Sequence, residues 1–128
     1  MSQNKFNKTR NLELLIVEDD EISDLLITLV AKKIFVKILH ATTGNEAIEI
    51  CQNNPDIVLI LMDIKLSKME GHIAAQRIKE FRPDLPIIAQ TAYALEHERA
   101  KYNGVWFDDY ITKPIDENDL KIKLEKYC

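Results

Sequence analysis

Ile57-Val58-Leu59-Ile60-Leu61-Met62-Asp63 is the most apolar run in the chain, and it ends on a carboxylate. A run with no polar interruption has no face to offer water, so it reads as a central strand covered on both sides. Upstream, Leu14-Leu15-Ile16-Val17 is a second run of this kind and ends on Glu18-Asp19-Asp20. Between them lie Ile22, Leu25, Leu26, Leu29 and Val30, spaced as one stripe of an amphipathic helix. Val36 to Ala41 follows as a strand that Lys37 and His40 interrupt, as an edge position allows. A second helix runs over 44–53 and stops at Asn53-Asn54-Pro55.

Downstream of Asp63 the alternation continues. Gly71 to Phe81 reads as a helix with Ala74, Ile78 and Phe81 inward, closed by Arg82-Pro83. Leu85 to Gln90 is a fourth strand, 94–103 a helix with a weak apolar stripe ended by Asn103-Gly104, and Val105 to Ile111 a fifth strand that contains Trp106. Asp116 is the expected N-cap of a last helix whose Leu120, Leu124 and Tyr127 face the core. Five strand–helix units in series imply an α/β fold: a doubly wound parallel sheet with helices on both faces. The flavodoxin-like (βα)5 arrangement, strand order 2-1-3-4-5, is the expected topology.

Composition bounds the rest. The chain has 128 residues, enough for one domain, and we expect a disordered tail over 1–11 and the domain over 12–128. Its net charge of −4 disfavours a nucleic-acid surface, which needs a basic stripe. No apolar run approaches the roughly 18 residues that cross a bilayer, and Met1 to Asn11 is too polar for a signal peptide. Cys51 and Cys128 have no disulfide or metal spacing and suit a reducing cytoplasm, the expected location. His40, His72 and His97 are scattered and read as surface or half-buried side chains.

Polar residues gather at the carboxyl ends of the strands, where open parallel sheets bind ligands. Glu18, Asp19 and Asp20 follow the first strand, Asp63 the third, Thr91 the fourth and Lys113-Pro114 the fifth. If the first and third strands are neighbours, carboxylates meet that would take up protons unless a cation joined them. Hard oxygen ligands suit Mg²⁺. An ammonium from Lys113 and a hydroxyl from Thr91 complete a phosphoryl-binding set, and an aspartate within it can become an aspartyl phosphate.

These pieces in this order resemble the receiver domains of two-component signalling proteins. The pieces are Leu14 to Asp20, Leu61-Met62-Asp63-Ile64, Met69-Glu70-Gly71, Gln90-Thr91-Ala92-Tyr93-Ala94 and Asp109-Tyr110-Ile111-Thr112-Lys113-Pro114. The resemblance implies that Asp63 is the phosphoacceptor and that Glu18, Asp19, Asp63 and the backbone carbonyl of Lys65 hold Mg²⁺. It implies that Thr91 bonds the phosphoryl oxygens, Lys113 pairs with them or with Asp63, Tyr110 turns inward as a switch, and a cis bond precedes Pro114. The implied partner is a histidine kinase or histidine phosphotransfer domain, and a homodimer could form through the face made by the helix over 94–103, the fifth strand and the last helix. The loop after Asp63 departs from the family pattern: Lys65-Leu66-Ser67-Lys68 stands where Met-Pro is usual, so Ser67 replaces the loop proline.

Other readings weigh less. A phosphatase of the haloacid dehalogenase type needs a second aspartate two positions after the nucleophile, where Lys65 stands. A flavin binder needs a Ser/Thr/Gly-rich loop where Glu18-Asp19-Asp20 would repel phosphate. A receiver-like module that never accepts phosphate would not need the acidic, threonine and lysine set. The chain carries neither a DNA-binding helix pair nor a kinase motif, and its acidic pair and Gln90 to Ala94 stretch resemble the receivers of hybrid sensor kinases.

Overall fold

The computed structural model describes residues 12–65, 71–92 and 107–127. The elements run β1 (Glu13–Val17), α1 (Glu21–Ala31), β2 (Lys37–Ala41), α2 (Gly44–Asn53), β3 (Ile57–Asp63), α3 (Gly71–Phe81), β4 (Ile87–Thr91), β5 (Asp109–Thr112) and α4 (Glu117–Lys126). The tail over 1–11, Met69-Glu70, the helix expected over 94–103, Tyr93, His97, Trp106 and Cys128 lie outside the described residues.

The five strands form one parallel sheet in the order β2-β1-β3-β4-β5, as the alternation of apolar runs and helices implies. Because strand side chains alternate, each central strand feeds two cores. Leu15, Val17, Ile60, Met62, Ile87 and Ala89 meet Ala47 and Cys51 of α2 and Ala74, Ala75 and Ile78 of α3. On the other face Leu14, Ile16, Leu59, Leu61, Ile88 and Ile111 meet Ile27, Val30 and Ala31 of α1 and Leu120 and Leu124 of α4. Edge strand β2 leaves Lys37 and His40 exposed. His40 Nδ1 lies 2.8 Å from Asp24 of α1, and His72 is half-buried.

Helix starts follow local chemistry. Asp20, Thr43 and Asp116 stand in extended backbone, and their side chains accept the N–H of Ser23, Glu46 and Asp119 respectively. Asp20 also accepts the Ser23 hydroxyl at 2.7 Å. These bonds hold the Asp20 carboxyl below its usual range.

Three expectations are corrected. Of the stripe Ile22, Leu25, Leu26, Leu29 and Val30, three members do not face the sheet: Ile22, Leu25 and Leu29 are 79%, 58% and 45% exposed. Val30 is buried as expected, together with Ile27 and Ala31. Helical spacing marks a stripe, but where apolar residues spread over a wide arc, docking on the sheet decides which edge of it turns inward. Phe81, expected inward, is 40% exposed because it is the last residue of α3 and lies past the sheet's edge beside Pro55 and Pro83. Among the described residues the ladder of β5 begins at Asp109, and Phe107, expected within the strand, makes only an isolated bridge; Val105 lies outside the described residues.

Arg82 closes the opposite end of the sheet from the acidic residues. Its guanidinium donates to the carbonyls of Asn54 (3.3 Å), Pro55 (3.2 Å) and Ile57 (2.6 Å), tying the end of α3 to the turn into β3. Arg82→Ala is expected to lower unfolding stability by about 2–3 kcal/mol, since charged donors to backbone are worth more than neutral ones. Urea denaturation at neutral pH checks this, and a midpoint equal to wild type would refute the clamp.

Candidate functional site

The carboxyl ends of β1, β3, β4 and β5 converge where strand order reverses, with β1 lying between β2 and β3. β1 runs directly into Glu18-Asp19, and parallel pairing sets Val17 beside Met62, so these acids come level with Asp63. Carboxylate oxygens of Glu18, Asp19 and Asp63 lie within 4.8 Å of one another. Glu18 and Asp63 are buried, and Asp19 is exposed. Asp20, expected in the same cluster, instead caps α1.

Each oxygen of Asp63 has a defined partner. Oδ1 accepts the Lys65 N–H at 3.0 Å, and Oδ2 accepts from the Lys113 ammonium at 2.8 Å. Lys113 is aimed by its backbone: its N–H donates to the Thr91 carbonyl at 2.7 Å, and the Lys113–Pro114 peptide is cis. Glu18 Oε2 accepts the Asp20 N–H at 3.1 Å. Its Oε1 faces the Lys113 ammonium at 3.4 Å but receives no hydrogen bond among the described residues.

Charge follows from this geometry. Burial, and then the Asp63 carboxylate beside it, push the Glu18 carboxyl up to about 7, against the pull of the Asp20 N–H and Lys113. For Lys113, burial acts to lower the value. The hydrogen bond and charge of Asp63, with the charge of Glu18, outweigh it and raise the ammonium's pKa above its ordinary range. Two buried carboxylates against one ammonium leave an excess of negative charge. A clustered set of hard oxygens, one of them short of a hydrogen bond, is chemically suited to a small divalent cation.

Gly71 is a contributor whose steric reason the sequence does not display. Its N–H donates to the Ile64 carbonyl at 2.7 Å. A Cβ there would stand 2.4 Å from the Asp63 carbonyl oxygen and 2.9 Å from the Ile64 Cα. The first turn of α3 thus lies directly on the backbone that carries Asp63. Thr91 and Tyr110 are both buried, and the Tyr110 ring lies edge-on to Phe107 with centroids 6.0 Å apart.

A doubly wound sheet with an aspartate, an acidic pair, a threonine and a lysine at its switch point defines a class of proteins, the CheY-like receivers. The chain belongs to the response regulator receiver domain family, whose model it matches over residues 14–125. It is 35% identical over 108 residues to the autoinducer 1 sensor kinase/phosphatase LuxN of Vibrio harveyi, covering 84% of this chain and 12% of that protein. The chain thus spans about an eighth of that relative's length. Among solved structures it is similar to the receiver domain of Ssk1 from Saccharomyces cerevisiae, determined with the histidine phosphotransfer protein Ypd1. That likeness has a TM-score of 0.84 and 26% identity, covering 91% of this chain and 88% of that one. It is also similar to the receiver domain of the sensor histidine kinase PA1611 from Pseudomonas aeruginosa, which holds a magnesium ion in its active-site cleft. Here the TM-score is 0.80 and the identity 27%, over 90% and 95% of the two chains. The fold and the two-component receiver assignment expected from the sequence both hold. Among the described residues no helix is long and apolar enough to cross a membrane.

Proposed function

We propose that Asp63 is the phosphoacceptor of this receiver domain and takes a phosphoryl group from a phosphohistidine. The observation that supports this most is the pair of contacts on its carboxylate, Lys113 at 2.8 Å and the Lys65 N–H at 3.0 Å, beside the acidic residues Glu18 and Asp19. In the transfer, Asp63 attacks phosphorus, the P–N bond of the donor breaks, and the leaving imidazole keeps the electron pair and gains a proton. Lys113 holds positive charge where the phosphoryl oxygens gather, and the Lys65 N–H fixes the carboxylate's orientation. Glu18, Asp19, Asp63 and the Lys65 carbonyl would hold Mg²⁺. When bound, the ion neutralises charge on the phosphoryl oxygens as an anionic nucleophile approaches an anionic group. Thr91 would bond a phosphoryl oxygen, and Thr112, its partner across the β4–β5 ladder and two residues after Tyr110, would carry the change to that ring.

The partner we propose is a histidine kinase or histidine phosphotransfer domain, and the parent protein a hybrid sensor kinase. Ile22 and Leu25 stand exposed on the first turns of α1. Ile22 also lines a hollow of about 160 Å³ with Lys113, Pro114 and Ile115, so an apolar docking surface borders the site. The Ssk1 receiver was solved with a histidine phosphotransfer protein, and LuxN is a sensor kinase, which support this reading.

Intact-mass measurement after incubation with acetyl phosphate tests the proposal. One added phosphoryl group is expected with Mg²⁺, and none with a chelator or in Asp63→Asn. An unmodified wild type in Mg²⁺, or a modified Asp63→Asn, would sink it.

A further inference from the structure

The unexplained polar group of this fold is Gln90. It lies in β4, whose other core-facing residues Ile87, Ile88 and Ala89 are apolar, and its side chain is 0% exposed. Neither its Nε2 nor its Oε1 has a hydrogen-bond partner among the described residues. A buried amide left unmet in this way is rare in folded proteins and unfavourable to the state that contains it. Such a group calls for another state in which it is used.

Its position says which state. Gln90 and Asp63 are paired across the β3–β4 ladder. Alternation puts both on the face that carries Leu61 and Ile88, the face covered by α1 and α4. Neighbouring strands are about 4.8 Å apart, so a glutamine side chain reaches the carboxylate next to it by changing rotamer. The backbone of the same segment ties the site together. The Gln90 carbonyl accepts the Ile64 N–H at 3.1 Å, and the Thr91 carbonyl accepts the Lys113 N–H at 2.7 Å. Gln90 thus sits between the chain segment that carries Asp63 and the one that carries Lys113.

As the structure stands, both Asp63 oxygens are already served, by the Lys65 N–H and by Lys113. Modification of Asp63 changes that. The ammonium is drawn to the added phosphoryl oxygens, and the Asp63 oxygen it leaves needs a donor. We propose that Gln90 is a positioning residue for the modified state: its Nε2–H, unmet before modification, donates to the Asp63 side-chain oxygen that Lys113 vacates. Gln90 then favours the modified form twice, by burdening the unmodified state with an unpaired amide and by bracing the acyl phosphate once it exists.

This inference rests on the phosphoacceptor reading of Asp63, and the test separates the two. The full 128-residue chain is labelled with ¹⁵N, and the Gln90 side-chain amide is assigned by its loss in Gln90→Met. Beryllofluoride with Mg²⁺ is then added to wild type. The Gln90 amide protons are expected to move downfield and exchange more slowly with water. Gln90→Met should unfold at higher urea than wild type, yet bind beryllofluoride about fivefold more weakly and lose its phosphoryl group about fivefold faster, the effect of one neutral hydrogen bond. Backbone shifts around Asp63 with an unmoved Gln90 amide, or a Gln90→Met that is merely more stable and otherwise behaves as wild type, would overturn the proposal and leave the phosphoacceptor reading intact. A wild type whose spectrum ignores beryllofluoride would overturn both.

Discussion

Gly71→Ala is expected to destabilise the protein although it adds a single methyl group. The new Cβ would meet the Asp63 carbonyl oxygen at 2.4 Å and the Ile64 Cα at 2.9 Å, and both are backbone rather than yielding side-chain tips. Relief requires α3 to lift away from β3. That movement would stretch the 2.7 Å bond from the Gly71 N–H to the Ile64 carbonyl and open the packing of Ala74, Ala75 and Ile78. Overpacking against unyielding neighbours destabilises by about 1–3 kcal/mol, and the strained hydrogen bond brings the expected total to about 3 kcal/mol. Alanine is the better helix former, so propensity alone would give the opposite sign. Chemical denaturation measures the loss. Because the displaced backbone is that of Asp63 itself, the rate of phosphoryl uptake should also drop. Wild-type stability in Gly71→Ala would mean that α3 does not bear on the Asp63 backbone as closely as it stands here.

The second large effect is on pH dependence. Glu18 titrates near 7 in the folded protein against an ordinary value of 4.5, because burial and Asp63 disfavour its charge. Between those values the native state binds more protons than the unfolded chain. Stability of the metal-free protein therefore falls as pH rises from about 4.5 to 7, by on the order of 2 kcal/mol. Asp20 and Asp109 carry depressed values and act in the opposite sense, but only as pH falls below their ordinary 3.8, outside this window. Urea midpoints in a chelator at pH 5, 6 and 7 should decline in that order. Glu18→Gln should flatten the trend. With Glu18 among the proposed Mg²⁺ ligands, the ion would compete with the proton for that carboxylate, so its apparent affinity should rise by up to about tenfold per pH unit over the window. A metal-free midpoint that climbs from pH 5 to 7 would show that Glu18 is ionised throughout.

Much of this was legible from the order of residues alone, for reasons that are physical. Leu14 to Val17 and Ile57 to Met62 contain no polar residue, so they had to be strands covered on both faces. Parallel strands of that kind need crossover helices, which fixes where their carboxyl ends lie and brings Glu18, Asp19, Asp63 and Lys113 together. What stayed hidden depends on tertiary direction rather than periodicity. The apolar residues of α1 spread over a wide arc, and only docking on the sheet reveals that Ile27, Val30 and Ala31 are inside while Ile22, Leu25 and Leu29 are out. Asp20 is chemically the equal of Asp19, but it falls at the N-cap, where Ser23 claims its side chain. Gly71 reads as a helix start, and its closeness to the Asp63 backbone appears only in three dimensions. Gln90 reads as the polar end of a strand, yet the helices of one face bury it completely.

The proposed phosphoryl transfer falls on one carboxylate, and reductive trapping addresses it directly. The chain is phosphorylated in Mg²⁺ by a phosphohistidine donor, the acyl phosphate is reduced with borohydride, and the peptides are sequenced by mass spectrometry. Reduction of an aspartyl phosphate converts that residue to homoserine. Homoserine is expected at position 63 and at no other aspartate. Homoserine at Asp19 or Asp20 with Asp63 unchanged, or no reduced residue in a chain shown to carry phosphate, would contradict it.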